Sequence, residues 1–133
     1  MASINKVIFT TFMVVGLVFT SLFSDAQVPD EIILGFKKGN VKLLSKYFNQ
    51  NVELVVLENE NVYSKAQAQQ IVGNFFNNYI SEEFTVLHKS SSKEGSKSVI
   101  GTLITPKGNF RVYLFLKQNE GKDYIHQLRI EKQ

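Results

Sequence analysis

The 133-residue chain has no cysteine, no tryptophan and only 2 prolines. Without cysteine it can form no disulfide, no thiolate metal centre and no bacterial lipoprotein anchor on a cysteine after the apolar stretch, so disulfide scaffolds, zinc ribbons, CxxC redox proteins and bacterial lipoproteins are excluded together. Glycine is sparse as well: 8 residues with no repeating interval exclude collagen-like and low-complexity chains. Neither sign of charge dominates, since 15 Lys+Arg against 12 Asp+Glu leave a net +3, and 20% charged residues are too few for a solvated, disordered tail. Gly-rich phosphate loops, nucleophile elbows and H-E-x-x-H are also absent, and Ser90-Ser91-Ser92 falls in a polar turn away from any base. What remains is 44% hydrophobic and 12% aromatic residues, 11 Phe among them, which is enough for one packed core held by packing alone.

The N-terminus has its own pattern. Lys6 is followed by an uncharged, proline-free run from Val7 to Phe23 and then by Ser24-Asp25-Ala26, a small-x-small site. That is the layout of a secretory signal peptide, and the run is shorter than the about 20 apolar residues of an ordinary membrane helix. The expected organisation is therefore a signal peptide over 1–26 and a single domain over 27–133, exported to the periplasm or beyond, with no stable membrane span after cleavage. Losing Lys6 and Asp25 leaves the net charge at +3. A duplex binder needs a concentrated basic face, so no nucleic-acid partner is expected. The densest basic group, Lys37, Lys38, Lys42 and Lys46, reads as a solvated helix face.

Periodicity gives the order of elements. Pro29-Asp30-Glu31 opens a helix, where a missing N–H is harmless and acids suit the dipole; Ile32, Ile33 and Phe36 form its apolar stripe and Gly39 ends it. Asn40 caps a second short helix with Val41, Leu44, Tyr47 and Phe48 on one face. Val52 to Leu57 reads as a strand, Glu58 to Asn61 as a turn and Val62-Tyr63 as a brief return. Ser64 with Gln67 makes a capping box for a longer helix whose Ala68, Ile71, Val72, Phe75, Phe76 and Tyr79 keep helical spacing. From Phe84 onward the period is two, over Phe84–Ser90, Ser98–Thr105, Phe110–Lys117 and Tyr124–Glu131, with turn residues between. Helices first and a meander after define an α+β fold, a cone in which N-terminal helices pack on a curved, mostly antiparallel sheet.

That order resembles the nuclear-transport-factor-two-like superfamily, the cystatin-like and ketosteroid-isomerase-like group. The resemblance rests on Phe48-Asn49-Gln50-Asn51-Val52-Glu53-Leu54, on Tyr63-Ser64-Lys65-Ala66 and on Phe75-Phe76, which look like the family's run from second helix through first strand into the long helix. With a signal peptide ahead of it, the chain looks like the small exported bacterial branch of unknown function. The resemblance implies the cone and a sheet-to-sheet homodimer. It names no activity, because the fold hosts isomerases, dehydratases, adaptors and non-catalytic domains alike.

Histidine is the side chain that ordinarily titrates near neutrality, and alternation places His126 with Tyr124, Leu128 and Ile130, and His88 with Phe84 and Val86, facing the helices. Together with Tyr79 and Glu53 they are the candidate pocket residues for a small-molecule ligand. Two histidines without a third ligand make no metal site, so neither metal nor cofactor is expected. The resemblance also implies an acid on the first strand as general base in isomerase-like members, where this chain offers only Glu53 near the strand start. Dehydratase-like members pair a histidine with an acid. A small lyase or isomerase using Glu53 with His88 or His126 is therefore the alternative to a non-catalytic binding or interaction module, which is the leading reading. If Phe110, Val112, Leu114 and Leu116 pack on the helices, then Arg111, Tyr113 and Phe115 face outward, and aromatics beside an arginine are the composition of interface anchors; these three are the candidate dimer contacts.

The N-terminal pattern makes a direct prediction. Intact-mass analysis of the chain expressed with its native N-terminus should give a mature species beginning at Gln27; a full-length chain recovered in the membrane fraction would refute cleavage.

Overall fold

The computed structural model describes residues 27–133, and the expected signal segment lies outside the described residues. The chain runs α1 (Asp30–Lys38), α2 (Val41–Ser45), β1 (Phe48–Val56), β2 (Asn59–Ser64), α3 (Lys65–Asn78), β3 (Glu83–Ser91), β4 (Lys97–Thr105), β5 (Gly108–Asn119) and β6 (Lys122–Lys132). Local chemistry sets the helix ends. Asp30 and Glu31 occupy the first turn of α1 and Lys37 and Lys38 its last, each matched to the helix dipole. Gly39 follows in the left-handed conformation at φ 60°, where a Cβ would also press on the Phe76 ring at 3.3 Å. Asn40 accepts hydrogen bonds from the backbone N–H groups of Lys42 and Leu43, and Ser64 and Gln67 form the reciprocal capping box of α3.

The six strands make one sheet in the order β2-β1-β6-β5-β4-β3, antiparallel throughout except where β1 runs parallel to β6. The helices cover one face. Val52, Leu54 and Val56 of β1, Phe110, Val112, Leu114 and Leu116 of β5, and Leu128 and Ile130 of β6 all point into that side and are buried. Phenylalanine fills the space between layers. Phe36 stacks on Phe84 at 5.0 Å and meets the edge of Phe76 at 6.1 Å, while Phe75 meets Phe110 edge-on at 5.1 Å. Such ring pairs add to area burial through edge-to-face and offset geometry. Gly101 is needed here, since a Cβ on it would lie 2.6 Å from the Phe84 ring. The α+β expectation and the boundaries of the four meander strands agree with this architecture.

Three local expectations are corrected. The second helix stops at Ser45, and Phe48 opens β1 instead of extending it, because Ile125 N–H of β6 donates to the Tyr47 carbonyl at 2.6 Å and draws the chain into the sheet. His126 and Tyr124 do not face the helices. In the β5–β6 ladder Phe115 pairs with Gln127 and Leu116 with Ile125, so His126 is an extra, bulged residue, and Asp123 and Ile125 take the inward positions before it. His88 is turned outward by the same device: Val86 pairs with Gly101 and His88 with Ile100, leaving Leu87 bulged and 56% exposed between them. Strict alternation carried across a one-residue insertion, in either direction, assigns the side chains beyond it to the wrong face.

One buried ion pair joins the sheet to the start of the domain. Lys97 Nζ donates to both Asp123 carboxylate oxygens, at 2.8 and 3.0 Å, and to the Gln27 carbonyl at 3.0 Å, so its three protons are all used. The side chains are only 4% and 9% exposed. Removing one member strands the other in a dry site. Lys97→Met should therefore lower unfolding free energy by about 3–5 kcal/mol in urea titrations, whereas the double replacement Lys97→Met with Asp123→Leu should recover much of that loss. Equal destabilisation by both variants would show that the pair itself carries the stability.

Candidate functional site

The outer face of the sheet, away from the helices, is where polar chemistry collects. Cross-strand register brings Ser98, Phe115, Gln127, Glu53 and Val62 into one row, and Ile100, Tyr113, Arg129, Val55 and Glu60 into the next. In the first row Gln127 Nε2 donates to a Glu53 carboxylate oxygen at 2.6 Å. In the second, Arg129 Nε donates to Glu131 at 2.8 Å, two residues along its own strand. A recess of about 290 Å³ opens above β1 between these rows, walled by Glu60, Asn61 and Val62 on one side and by Gln127 and Arg129 on the other.

A second recess, about 270 Å³, adjoins the first at Glu53, Val62 and Gln127 and extends to Asn49, Asn51, Phe115, Lys117 and His126. Partial burial, reinforced by the Lys117 ammonium, holds the His126 imidazole below its ordinary value, while the Glu53 carboxylate pulls the other way. A third hollow of about 690 Å³ shares Val55, Glu60 and Arg129 with the first and wraps over the sheet end to Tyr79.

Of the expected pocket residues, Glu53 and His126 share one recess, on the outer face and not inside the cone. The Glu53 hydrogen bond goes to Gln127 and not to an imidazole. His88 is exposed on β3, separated from β6 by β4 and β5. Tyr124 carries the Lys122 ammonium 5.5 Å from its ring centroid. Tyr79 stacks on Phe75 at 5.0 Å with Lys107 over its ring at 5.7 Å, far along the sheet from His126. Arg111, Tyr113 and Phe115 do face outward, because their neighbours Phe110, Val112, Leu114 and Leu116 are fully buried beneath the helices. Gln127, Arg129, Asn61 and Glu60 were not singled out from sequence. Gln127 and Arg129 show only polarity at alternate strand positions, Glu60 and Asn61 read as a turn where β2 in fact begins at Asn59, and the β1–β6 pairing that assembles the site has no local signature. Among the described residues no three His, Asp or Glu side chains gather as a metal cluster, and no helix is long and apolar enough to cross a membrane.

Comparison with known proteins follows this geometry. Residues 29–131 match DUF4783, a domain of unknown function. The chain belongs to this family. It is 37% identical to a DUF4783 family protein from Bacteroides ovatus, with 82% of this chain and 98% of that chain covered at a TM-score of 0.77. It shares the fold of a protein of unknown function with a cystatin-like fold from Nostoc punctiforme, at 12% identity, 78% and 84% coverage and a TM-score of 0.60. An Rd1NTF2 protein with a long sheet is likewise similar, at 20% identity, 76% and 94% coverage and a TM-score of 0.60. No curated protein matches.

The depressed His126 fixes the sign of a pH effect. A base whose folded value lies below its unfolded value contributes full stability above the unfolded value, about 6.5, and loses it as pH falls through the lower folded value. In an NMR titration Lys117→Gln should move the His126 midpoint up, and Glu53→Gln should move it further down. Identical midpoints in wild type and both variants would refute the charge assignment.

Proposed function

We propose that this chain is an exported, non-catalytic binding module of the nuclear-transport-factor-two-like superfamily that works through the outer face of its sheet and pairs there with a second copy. The observation that carries the reading is the division between faces. The helix-covered side is occupied by interlocking phenylalanine rings and branched aliphatics, whereas the outer side combines half-buried Ile100, Tyr113 and Phe115 with guanidinium groups and a carboxylate–amide pair. Aromatics flanked by arginine are the usual anchors of protein interfaces. Export is supported by the charged start, the apolar run and Ser24-Asp25-Ala26.

The reading as a lyase or isomerase has one observation in its favour, the shared recess of Glu53 and His126. That recess is open to water, and general acid–base catalysis draws much of its strength from a closed, preorganised site. Binding suits it better.

Pairing through the sheet is tested at Phe115. In light scattering the mature wild-type chain should behave as a dimer, and Phe115→Glu as a folded monomer, because a two-fold contact would bury two like charges against each other. A wild-type chain that stays monomeric at high micromolar concentration refutes the interface.

A further inference from the structure

The three hollows are one feature. The first shares Glu53, Val62 and Gln127 with the second, and Val55, Glu60 and Arg129 with the third, so a continuous groove follows β1 from Asn49 to Leu57. At about 3.3 Å per strand residue, the 9 residues of β1 give the groove a length on the order of 30 Å. A compact metabolite would fill a fraction of that; a short polymer would fill it all. We propose that this groove, which lies at the β1–β2 end of the outer face and shares only Phe115 at its border with the dimer contacts Arg111, Tyr113 and Phe115, binds an uncharged, hydroxyl-rich chain, a neutral linear oligosaccharide, an assignment that rests on the binding-module reading above.

Four properties of the groove select that class. Its walls carry planar groups, the amides of Asn49, Asn51 and Gln127 and the carboxylates of Glu53 and Glu60. Each offers paired donors or acceptors at the spacing of neighbouring hydroxyls, and a hydroxyl can both give and accept. The Gln127–Glu53 bond uses one amide proton and one carboxylate oxygen, which leaves the Gln127 carbonyl, its second proton and the other Glu53 oxygen for a ligand. Between these polar groups lie Val55 and Val62, apolar contacts for the C–H faces of sugar rings.

Charge is close to balanced along the whole groove, with Glu53, Glu58, Glu60 and Glu131 opposed by Lys117, Arg129 and Lys132. A polyanion would need a basic surface, and a polycation an acidic one. Finally, the groove lies over the face of the sheet, where β1 is paired on both sides by β2 and β6. An extended peptide gains its affinity by adding to a strand edge; the free edge here belongs to β2, which forms a wall of the groove and not its floor.

The test titrates isotope-labelled mature chain with cellotetraose, maltotetraose, xylotetraose and tetra-N-acetylchitotetraose in turn, alongside a neutral Ser/Gly heptapeptide and a heparin tetrasaccharide. At least one neutral tetrasaccharide should shift the amide signals of Glu53, Val55, Gln127 and Arg129. Gln127→Ala and Asn51→Ala should each weaken that sugar by about tenfold, the equivalent of one good hydrogen bond, with the fold and the oligomeric state unchanged. If the peptide or the heparin fragment shifts the groove signals and no neutral sugar does, the ligand class is overturned while the binding-module reading stands. If none of the six probes moves those signals, the groove proposal falls, while the binding-module reading is decided separately by the pairing at Phe115.

Discussion

The parallel contact between β1 and β6 is the join on which the rest of the molecule depends. The N-terminal half supplies helices and a β-hairpin, the C-terminal half a four-stranded meander, and neither buries its apolar face without the other. The join is anchored at one end by the Ile125 N–H to Tyr47 carbonyl bond, at 2.6 Å, and at the other by the Leu57 N–H to Ile130 carbonyl bond, at 3.0 Å. Between these anchors the register slips, with Phe48 opposite Ile125 but Glu53 opposite Gln127. That slip lets the inward row of β1 meet the inward row of β6 and sets Glu53 beside Gln127 on the other face. The same contact that closes the core therefore builds the polar row outside it.

Two bulges then decide which side chains the outer face receives. At His126 an extra residue allows Ile125 and Leu128, three apart, both to be buried, and it pushes the imidazole into the recess beside Lys117. At Leu87 the same insertion turns His88 toward solvent and leaves an exposed leucine near the free edge of the sheet. A bulge also bends its strand and strengthens local twist. The two histidines are on the outer face as a result of those insertions.

Much of the architecture is readable from local chemistry because the relevant signals are local. The capping box at Ser64 and Gln67, the Asn40 cap, the αL Gly39 and the period-two rows of β4 and β5 each act within a few residues, and each appears where the sequence places it. The outward set Arg111, Tyr113 and Phe115 is legible for the same reason, since β5 alternates without interruption from Phe110 to Leu116. The site is less legible. Glu53 and Gln127 are 74 residues apart, and only the parallel pairing of the first and last strands brings them together. The bulges at Leu87 and His126 carry no glycine or proline to announce them. Lys97 and Asp123 look like ordinary surface charges until the start of the domain folds over them.

The packing of the inner face leaves the outer one as the place for the binding proposed above. A cone can hold a ligand inside only if its lining leaves room, and here the large rings of Phe36, Phe75, Phe76, Phe84 and Phe110 meet across the layer. Emptying such a core for a ligand would cost cavity energy at each truncated ring, roughly 3–5 kcal/mol for Phe→Ala. A domain of this size, without disulfides, has only about 5–15 kcal/mol of net stability to lose. Outer-face residues escape that constraint. Exchanging Gln127, Glu53 or Glu60 alters hydrogen-bonding groups at the surface without opening a void, so the proposed recognition can vary there while the filled cone is left intact.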